Sequence, residues 1–314
     1  MSEQPLLAEL VLGDAPREGE AADATAKQKK RPVAAKPATN RYQQEELEFL
    51  TADFLDVSVK DDRHTMEHPF FSLKTQKDTE IRHYQYKGVE VTVTPSVAGM
   101  ATIWDKDLLI FATSQLVEAI NRKVQPPASR KVRFSAYTYL VATGKGTGGK
   151  DYAAILKALA RLKGTVIDTN IKTNGRGSRK GFGLIDDWET VESTADGRVE
   201  SIEITLSLWL FEAVQALEVL TINPAYFKLR GGVEKRLYEL ARKHCGRQPV
   251  WHIGEDDLFQ KTGSTGSIRD FRRILRSTMT GDSLPDYRVR YDEKLRKVTF
   301  YTKDMKALGM DALK

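Results

Sequence analysis

Two stretches of the chain place apolar residues three and four positions apart, as one buried face of an α-helix requires. The first stretch runs from Lys150 to Lys163 and the second from Ser267 to Met279. The apolar positions are Tyr152, Ile155, Leu156 and Leu159 in the first and Ile268, Phe271, Ile274 and Leu275 in the second. The pattern therefore predicts two amphipathic helices that each bury one side.

Strands and further helices are predicted around these two helices. Segments with alternating or β-branched apolar residues predict strands at 86–95, 132–134, 165–171, 182–191, 201–206, 250–253, 287–291 and 297–302. Helical spacing predicts helices at 208–220, 232–245, 255–261 and the second half of 102–123. Because strands and helices are mixed along the chain, the sequence predicts an α+β fold.

The N-terminal residues lack this organisation. Residues 1–40 are rich in Ala, Glu, Lys and Pro and contain no aromatic residue. Such a composition cannot bury enough apolar surface to offset the entropy of ordering, so we predict a disordered tail at residues 1–44. Apolar residues then recur at helical spacing among acidic ones within 41–59, which predicts an amphipathic helix that docks on the folded body.

The two amphipathic helices belong to an internal repeat. A shift of 119 residues brings Val132 onto Trp251, Thr143-Gly144 onto Thr262-Gly263, and Ile155-Leu156 onto Ile274-Leu275. Few residues are identical, but both copies have the order strand, short helix, Thr-Gly turn, longer helix and two strands.

A helix-turn-helix followed by a β-hairpin is the winged-helix arrangement, whose second helix can enter the major groove of DNA. We therefore predict two tandem winged-helix domains. The first, with an N-terminal extension, covers residues 45–212, the second covers residues 213–304, and a tail covers residues 305–314.

Basic residues are concentrated on the second copy of the repeat. Four arginines recur at i, i+3, i+4 and i+7 on the polar side of its long helix, where they would repel one another without a polyanion. The candidate DNA-binding residues are Ser267, Arg269, Arg272, Arg273 and Arg276, with Arg288 and Arg290 in the following hairpin. A solvated basic face is the alternative interpretation.

The first copy is less basic. Its long helix presents Lys150, Lys157 and Arg161, and the glycine-rich loop KTNGRGSRKG, predicted as its wing, adds Lys172, Arg176, Arg179 and Lys180. A flexible basic loop suits contacts with the DNA backbone. We therefore expect the first copy to hold phosphates and the second to read bases.

Composition and charge agree with a DNA-binding function. The chain has 314 residues and one cysteine, Cys245, which excludes a disulfide framework and a cysteine-based zinc cluster. Residues 1–70 carry a net charge of −5 and residues 71–314 a net charge of +11, which indicates a polyanionic partner. The chain has no run of eighteen apolar residues and no secretory leader, so we expect a cytoplasmic protein without a membrane span.

Two motifs suggest other functions. GKGTGGKD resembles a P-loop, but Asp151 stands where a magnesium-binding Ser or Thr is needed. The same loop fits G-x-G-x-x-G with Gly144, Gly146 and Gly149, and with Asp168 as a ribose-binding acid, which leaves a nucleotide-binding oxidoreductase as an alternative.

The motif HTMEH resembles an inverted zinc-protease motif, but Pro69 disfavours helical geometry at His68. No Ser/His/Asp set stands out. The sequence therefore predicts a binding protein, not an enzyme, and no cofactor.

Four segments carry a family resemblance: KDDRHTMEHPFFSL, ATIWDKDLLIFATSQL, ALARLKGTVIDTNI and EKRLYELARKHCG. Over about residues 53–302 the chain resembles the replication initiator protein A family of bacterial plasmids. The resemblance implies binding to repeated sites (iterons) in double-stranded origin DNA, opening of an adjacent A·T-rich stretch, and contacts with the host initiator and replicative helicase. It also implies a monomer–dimer balance, with main base contacts from the C-terminal winged helix. A tandem winged-helix transcription repressor is the alternative within the same class.

Overall fold

A computed structural model shows a mixed α+β fold. The structure describes residues 57–123, 129–171, 179–193, 197, 199–246 and 248–306. The predicted tail at residues 1–44 and nearly all of the predicted helix within 41–59 lie outside these residues.

The elements follow one another in three groups. The first group is β1 (Lys60–Asp62), α1 (Arg63–Glu67), β2 (Arg82–Tyr86), β3 (Val89–Thr94) and α2 (Lys106–Asn121). The second is β4 (Lys131–Ser135), α3 (Ala136–Ala142), α4 (Gly149–Gly164), β5 (Val166–Thr169), β6 (Lys180–Gly183), β7 (Ile185–Glu192) and β8 (Val199–Leu206). The third is α5 (Leu208–Gln215), β9 (Val219–Thr221), a 3-10 helix (Pro224–Lys228), α6 (Gly232–His244), β10 (Val250–Gly254), α7 (Glu255–Thr262), α8 (Ile268–Gly281), β11 (Tyr287–Asp292) and β12 (Lys297–Thr302).

The internal repeat is present as a shared order of elements. We call β4, α3, α4, β7 and β8 the first repeat unit, and β10, α7, α8, β11 and β12 the second repeat unit. Their antiparallel sheets have the matching strand orders β4-β8-β7 and β10-β12-β11. In each unit a strand leads into two helices, and a hairpin then returns to pair with that strand.

The prediction that the loop KTNGRGSRKG is the wing of the first repeat unit is wrong. The loop KTNGRGSRKG connects β5 to β6, and both strands belong to a separate four-stranded sheet with the order β2-β3-β5-β6. The pairing of Val93 with Ile167 explains this arrangement, because both side chains are fully buried in the core. The counterpart of the second unit's hairpin is therefore β7–β8. Lys172 and Arg176 lie outside the described residues.

Two other predicted elements have different bounds. The strand predicted at 86–95 is the β2–β3 hairpin, which reverses at Lys87-Gly88 with φ values of 47° and 80°. Two successive positive φ values are typical of tight hairpin turns. The helix predicted at 208–220 ends at Gln215, because Leu217 adopts a φ of 55° and the chain then forms β9 against β1.

Helices α2 and α6 form the buried centre of the described chain. Every residue of α2 from Lys106 to Val117 is buried, and so is every residue of α6 from Gly232 to Ala241 except the half-buried Glu234. None of the helices in the described ranges combines the length and apolar character needed to cross a membrane.

Ion pairs connect these two buried helices. Lys106 Nζ lies 2.9 Å from Glu239 Oε1 and 2.8 Å from Asp61 Oδ2, and Lys235 Nζ lies 2.8 Å from Asp107 Oδ1. The opposite charges offset part of the desolvation penalty that burial imposes on these groups.

Arg236 of α6 joins elements that are distant in sequence. Its guanidinium donates to the backbone carbonyls of Thr65 and Met66, both at 3.1 Å, at the C-terminal end of α1. It also donates to the carbonyl of Lys261, at 2.9 Å, at the C-terminal end of α7. Carbonyls in the last turn of a helix have no partner within the helix, so this one side chain satisfies two helix ends. Its charge is balanced by Glu239, at 2.5 Å.

The titration of Asp61 follows from its burial among these charges. Burial raises the pKa of Asp61 to about 7, Lys106 opposes the rise, and Glu239 adds to it. The folded pKa lies above the ordinary value of 3.8, so the folded state binds the proton more tightly. Stability from this group is therefore present at low pH and is lost as the pH rises through the folded pKa.

We expect Asp61→Asn to remove this component of the pH dependence. Urea denaturation at several pH values between about 4 and 8 should show the wild-type free energy of unfolding falling relative to that of the variant as the pH rises. The exposed Asp168→Asn is the matched control. A constant difference between wild type and Asp61→Asn across the range would contradict the assignment.

Candidate nucleic-acid interface

Helix α8 buries one side and exposes the other, as its sequence pattern predicts. Phe271 and Leu275 are buried in the core, together with Thr278. The helix begins after Ser267, whose Oγ accepts a hydrogen bond from the backbone N–H of Asp270 at 3.1 Å. Ser267 therefore caps the helix, which is the role expected of a serine at this position.

The four arginines of α8 differ in their surroundings. Arg273 is 77% exposed and lies 3.5 Å from Asp270, while the exposed Arg269 forms no ion pair with a described residue. Arg276 donates two hydrogen bonds to Glu293 at the hairpin tip, at 2.6 and 2.9 Å. Arg272 is only 34% exposed and donates two to Glu255, at 2.9 and 2.7 Å. The arginines most available to a ligand are thus Arg269 and Arg273.

Glu255 lies fully buried where α7, α8 and the β11–β12 hairpin meet. It accepts hydrogen bonds from Arg272, from Arg296 at 3.0 Å, and from the hydroxyl of Tyr291. Its backbone N–H donates to the carbonyl of Arg296 at 2.9 Å. Hydrogen bonds from Arg272, supported by those from Tyr291 and Arg296, lower the pKa of Glu255 to about 2 despite its burial. The carboxylate therefore stays charged and holds the two arginines.

Sequence reasoning missed the role of Glu255. Its one signal is an acidic residue at the first position of a helix, which suggests only a favourable interaction with the helix dipole. Contacts with residues 17 to 41 positions away cannot be read from that spacing.

The hairpin of the second repeat unit presents cations beside α8. Side chains of β11 alternate between buried and exposed, so Arg288 and Arg290 face solvent. Arg288 lies 3.7 Å from Asp282, and Arg290 has no ion pair among the described residues. Lys294 and Lys297 add exposed positive charge near the turn.

The long helix of the first repeat unit offers fewer free cations. Lys150 and Lys157 of α4 are exposed and have no ion pair with a described residue. Arg161 instead donates two hydrogen bonds of 2.7 Å to the buried Asp105 and ties α4 to the segment before α2. Positions 153 and 154, which match Arg272 and Arg273 under the shift of 119 residues, are both alanine.

Arg179 directly precedes the strand β6, and Lys180 is the first residue of that strand. Arg179 Nε donates to Asp168 at 2.8 Å and Lys180 Nζ lies 3.6 Å from Glu212. Both cations therefore already interact with carboxylates of the protein.

The hairpin of the first repeat unit carries the opposite charge to that of the second. Its exposed acidic side chains are Asp186, Asp187, Glu189, Glu192 and Glu200. Phosphates repel carboxylates, so this hairpin is unsuited to the DNA contacts that the basic second hairpin can make.

The glycine-rich loop before α4 has a structural role in the described chain. Asp151 Oδ2 accepts a hydrogen bond of 3.0 Å from the backbone N–H of Gly148 at the start of the helix. Gly144 adopts a φ of 65°, which glycine reaches without strain. Asp168 is paired with Arg179, as described above.

A groove of 650 Å³ lies beside α4, between this helix and the segments around Lys77 and Met100. Its charged lining includes Arg161, paired with Asp105, and Lys145, whose Nζ lies 2.6 Å from Asp107. These two cations are bound to protein carboxylates, while Lys157, which also lines the groove, has no ion pair with a described residue.

The histidines of HTMEH are not presented together by one helix. Helix α1 ends at Glu67, and His68 before the proline is extended, with a ψ of 147°. His64 Nε2 lies 3.0 Å from Glu218. Within the described ranges no group of three or more His, Cys, Asp or Glu side chains is arranged to hold a metal ion.

Known proteins resemble this chain in sequence and in fold. The family model described as Replication initiator protein A matches residues 60–289. A protein of Wigglesworthia glossinidia brevipalpis named "Putative replication protein" is 38% identical over 256 residues, which cover 81% of this chain and 92% of that protein.

Two crystal structures of domains 2 and 3 of RctB resemble the fold at 16% identity. The first has a TM-score of 0.54 and covers 74% of this chain and 94% of the other. The second has a TM-score of 0.50 and covers 78% and 99%. The structural likeness supports the α+β fold, while the family match and the 38% identical relative carry the assignment. The family resemblance predicted from the sequence is thus confirmed: the chain belongs to the replication initiator protein A family.

Proposed function

We propose that the protein starts plasmid replication by binding repeated sites in double-stranded DNA at the plasmid origin, with the second repeat unit as the main reader of bases. The observation that carries this proposal is the joint exposure of Arg269 and Arg273 on α8 and of Arg288 and Arg290 on the adjacent hairpin. A helix in the major groove and a basic wing on the backbone would use these two surfaces together.

Both repeat units fit the winged-helix arrangement, since each has two helices joined by a turn and followed by a hairpin. Helix α8 is 14 residues long and presents arginines near its N-terminal end, where recognition helices contact base edges. An arginine fork can donate two hydrogen bonds to guanine O6 and N7, which distinguishes guanine from the other bases.

The first repeat unit has a secondary part in this proposal. Lys150 and Lys157 of α4 can contact phosphates, and the exposed alanines between them leave room for the thymine methyl group. Arg161 contributes by holding α4 in place and not by contacting DNA. Lys172, Arg176, Arg179 and Lys180 remain candidates for backbone contacts from the loop next to β6.

The remaining parts of the proposal rest on the family. After binding, the protein would promote opening of the origin and recruit the host initiator and the replicative helicase, and it would exchange between monomer and dimer. It would act in the bacterial cytoplasm, where plasmid DNA lies, through binding and without a catalytic step.

Titration of the full chain with DNA tests this function. We expect saturable binding to a duplex from the origin of the plasmid that carries the gene, at least about a thousandfold tighter than to a shuffled duplex at the same salt concentration. Footprinting on that plasmid should protect repeated sites. Equal affinity for the origin and shuffled duplexes would contradict the proposal.

An origin-dependent replication assay in cells separates an initiator from a transcription repressor. We expect a plasmid that carries only the origin to be maintained when the protein is supplied in trans. Repression of a promoter without plasmid maintenance would favour the repressor.

A further inference from the structure

We propose that Glu255 is a positioning residue of the DNA interface, which fixes helix α8 and the β11–β12 hairpin relative to each other so that both reach one duplex at once. In this assignment Arg272 and Arg296 bind Glu255 and stabilise the interface, and they do not contact DNA bases. The inference rests on the proposed function, since it names a residue that acts through the DNA-contacting ones.

The geometry around Glu255 joins the parts of the second repeat unit that would contact DNA. The carboxylate is fully buried, and it binds Arg272 of α8 through two hydrogen bonds of 2.9 and 2.7 Å. Arg296 in the hairpin turn binds the same carboxylate at 3.0 Å and also Asp256 at 2.6 Å. Planar two-bond contacts of this kind restrict orientation as well as distance. A rotation of α8 against the hairpin would therefore break several charge-assisted hydrogen bonds.

Tyr291 connects strand β11 of the hairpin to the Glu255 carboxylate. Its hydroxyl donates to Glu255, and its side chain is buried on the side of β11 opposite Arg290. The strand that presents exposed arginines to solvent is thus held by the same carboxylate as the helix that presents Arg273.

The first repeat unit shows that the fold does not need this contact. Under the shift of 119 residues, Glu255 corresponds to Ala136 and Arg272 to Ala153. Ala136 also occupies the first position of its helix, and the strand order of the sheet is the same. Since the arrangement forms with alanine at both positions, Glu255 and Arg272 serve something that distinguishes the second unit. The exposed Arg273 is specific to that unit as well, because it corresponds to Ala154, whereas Arg269 corresponds to the basic Lys150.

Removal of the negative charge of Glu255 distinguishes a positioning role from a direct contact with DNA. Removing a carboxylate makes the second repeat unit more positive, so non-specific attraction to DNA should not fall. Loss of alignment should instead weaken only contacts that need a fixed geometry, and these are the contacts that discriminate sequence. A positioning role therefore predicts opposite tendencies for the affinities toward cognate and shuffled DNA.

The full chain carrying Glu255→Gln tests this assignment. We expect its affinity for an origin duplex to fall by about tenfold or more, while its affinity for a shuffled duplex is unchanged or rises. Glu234→Gln is a matched control, because Glu234 also lies in the first turn of a helix and accepts hydrogen bonds from Gly231 and from Ser283 in the connection after α8, but from no residue of α8 or of the hairpin itself. An unchanged ratio of the two affinities in Glu255→Gln would overturn the proposal.

A second variant keeps the test sharp if Glu255→Gln folds poorly. The pair Glu255→Ala and Arg272→Ala copies the combination found in the first repeat unit, so it removes the buried carboxylate together with the arginine that pairs with it. We expect this double variant to unfold cooperatively and to lose preference for the origin duplex. Retained preference in the folded double variant would overturn the role of Glu255.

Salt dependence distinguishes Arg272 from an arginine that contacts phosphate. Arg272→Ala alone should leave the slope of log affinity against log salt unchanged, whereas loss of a phosphate contact reduces it by about 0.9. The effect of Arg272→Ala on origin binding should not add to that of Glu255→Gln, because both substitutions disrupt the same Arg272–Glu255 contact. A wild-type protein without preference for origin DNA would overturn both this inference and the proposed function. A wild-type preference that survives in all variants would overturn the inference alone.

Discussion

Arg236→Met is expected to lower the free energy of unfolding by about 3–5 kcal/mol, which is the usual effect of breaking a buried ion pair by removing one partner. The variant leaves the carbonyls of Thr65, Met66 and Lys261 without their donor, at the ends of two helices. Methionine fills much of the volume of the arginine stem, so the loss reports on charge and hydrogen bonds more than on a cavity. Urea denaturation followed by circular dichroism measures it.

Arg242→Met provides the control for this prediction. Arg242 lies on the same helix, is half-buried, and donates a hydrogen bond to the carbonyl of Thr221 at 2.6 Å, with a further contact to Tyr287. We expect a loss of about 1 kcal/mol there. If Arg236→Met were no more destabilising than this control, the hydrogen bonds of Arg236 to α1 and α7 would not contribute to the free energy of unfolding.

Simultaneous replacement of Arg269 and Arg273 by alanine is expected to weaken binding to the origin duplex by about a hundredfold or more. Each arginine that reads a guanine contributes about 1–3 kcal/mol of discrimination, and about 1.4 kcal/mol corresponds to a factor of ten. These two arginines have no two-bond carboxylate partner among the described residues, so the fold should be unaffected. Fluorescence titration with labelled duplexes measures the change, and thermal unfolding checks the fold.

Arg122→Ala is the matched control for the double variant. Arg122 is half-exposed and pairs with Glu118 one helical turn away, much as Arg273 lies near Asp270, but it follows α2 outside both repeat units. We expect its origin binding to match that of the wild type. Unchanged binding in the double variant would remove α8 as the reading helix.

The amphipathic helices could be predicted from the sequence because their information is local. The spacing of Phe271 and Leu275 determines which side of α8 is buried, and the structure buries both. Ser267 and Asp270 likewise mark the start of the helix within four residues. Pairing between distant strands is not local in this sense. The join of β5 to β3 depends on residues about seventy-five positions away, so the loop after β5 could not be distinguished from a wing.

The sequence also could not show which arginines of α8 pair with carboxylates and which remain free. Helical spacing shows that Arg272 and Arg273 both face away from the core residues of their own helix. It does not show that Glu255, from a different helix, lies within 3 Å of Arg272 and leaves Arg273 free. The same limit applies to the acidic hairpin of the first repeat unit, because its correspondence to the basic hairpin of the second unit depends on the strand pairing.

The hydrogen bonds of Arg236 can form only late in the synthesis of the chain. The carbonyls at the end of α1 wait for a donor that lies 171 residues further along the chain. At the speed of about 5–20 residues per second that bacterial and other ribosomes reach, this interval lasts about 10–30 s. During that time the N-terminal segment formed by β1 and α1 lacks both this donor and the partner strand β9, and neither contact can form before the first repeat unit has been synthesised. Slower translation between α2 and α6 would extend the period in which this segment is open to proteases and chaperones.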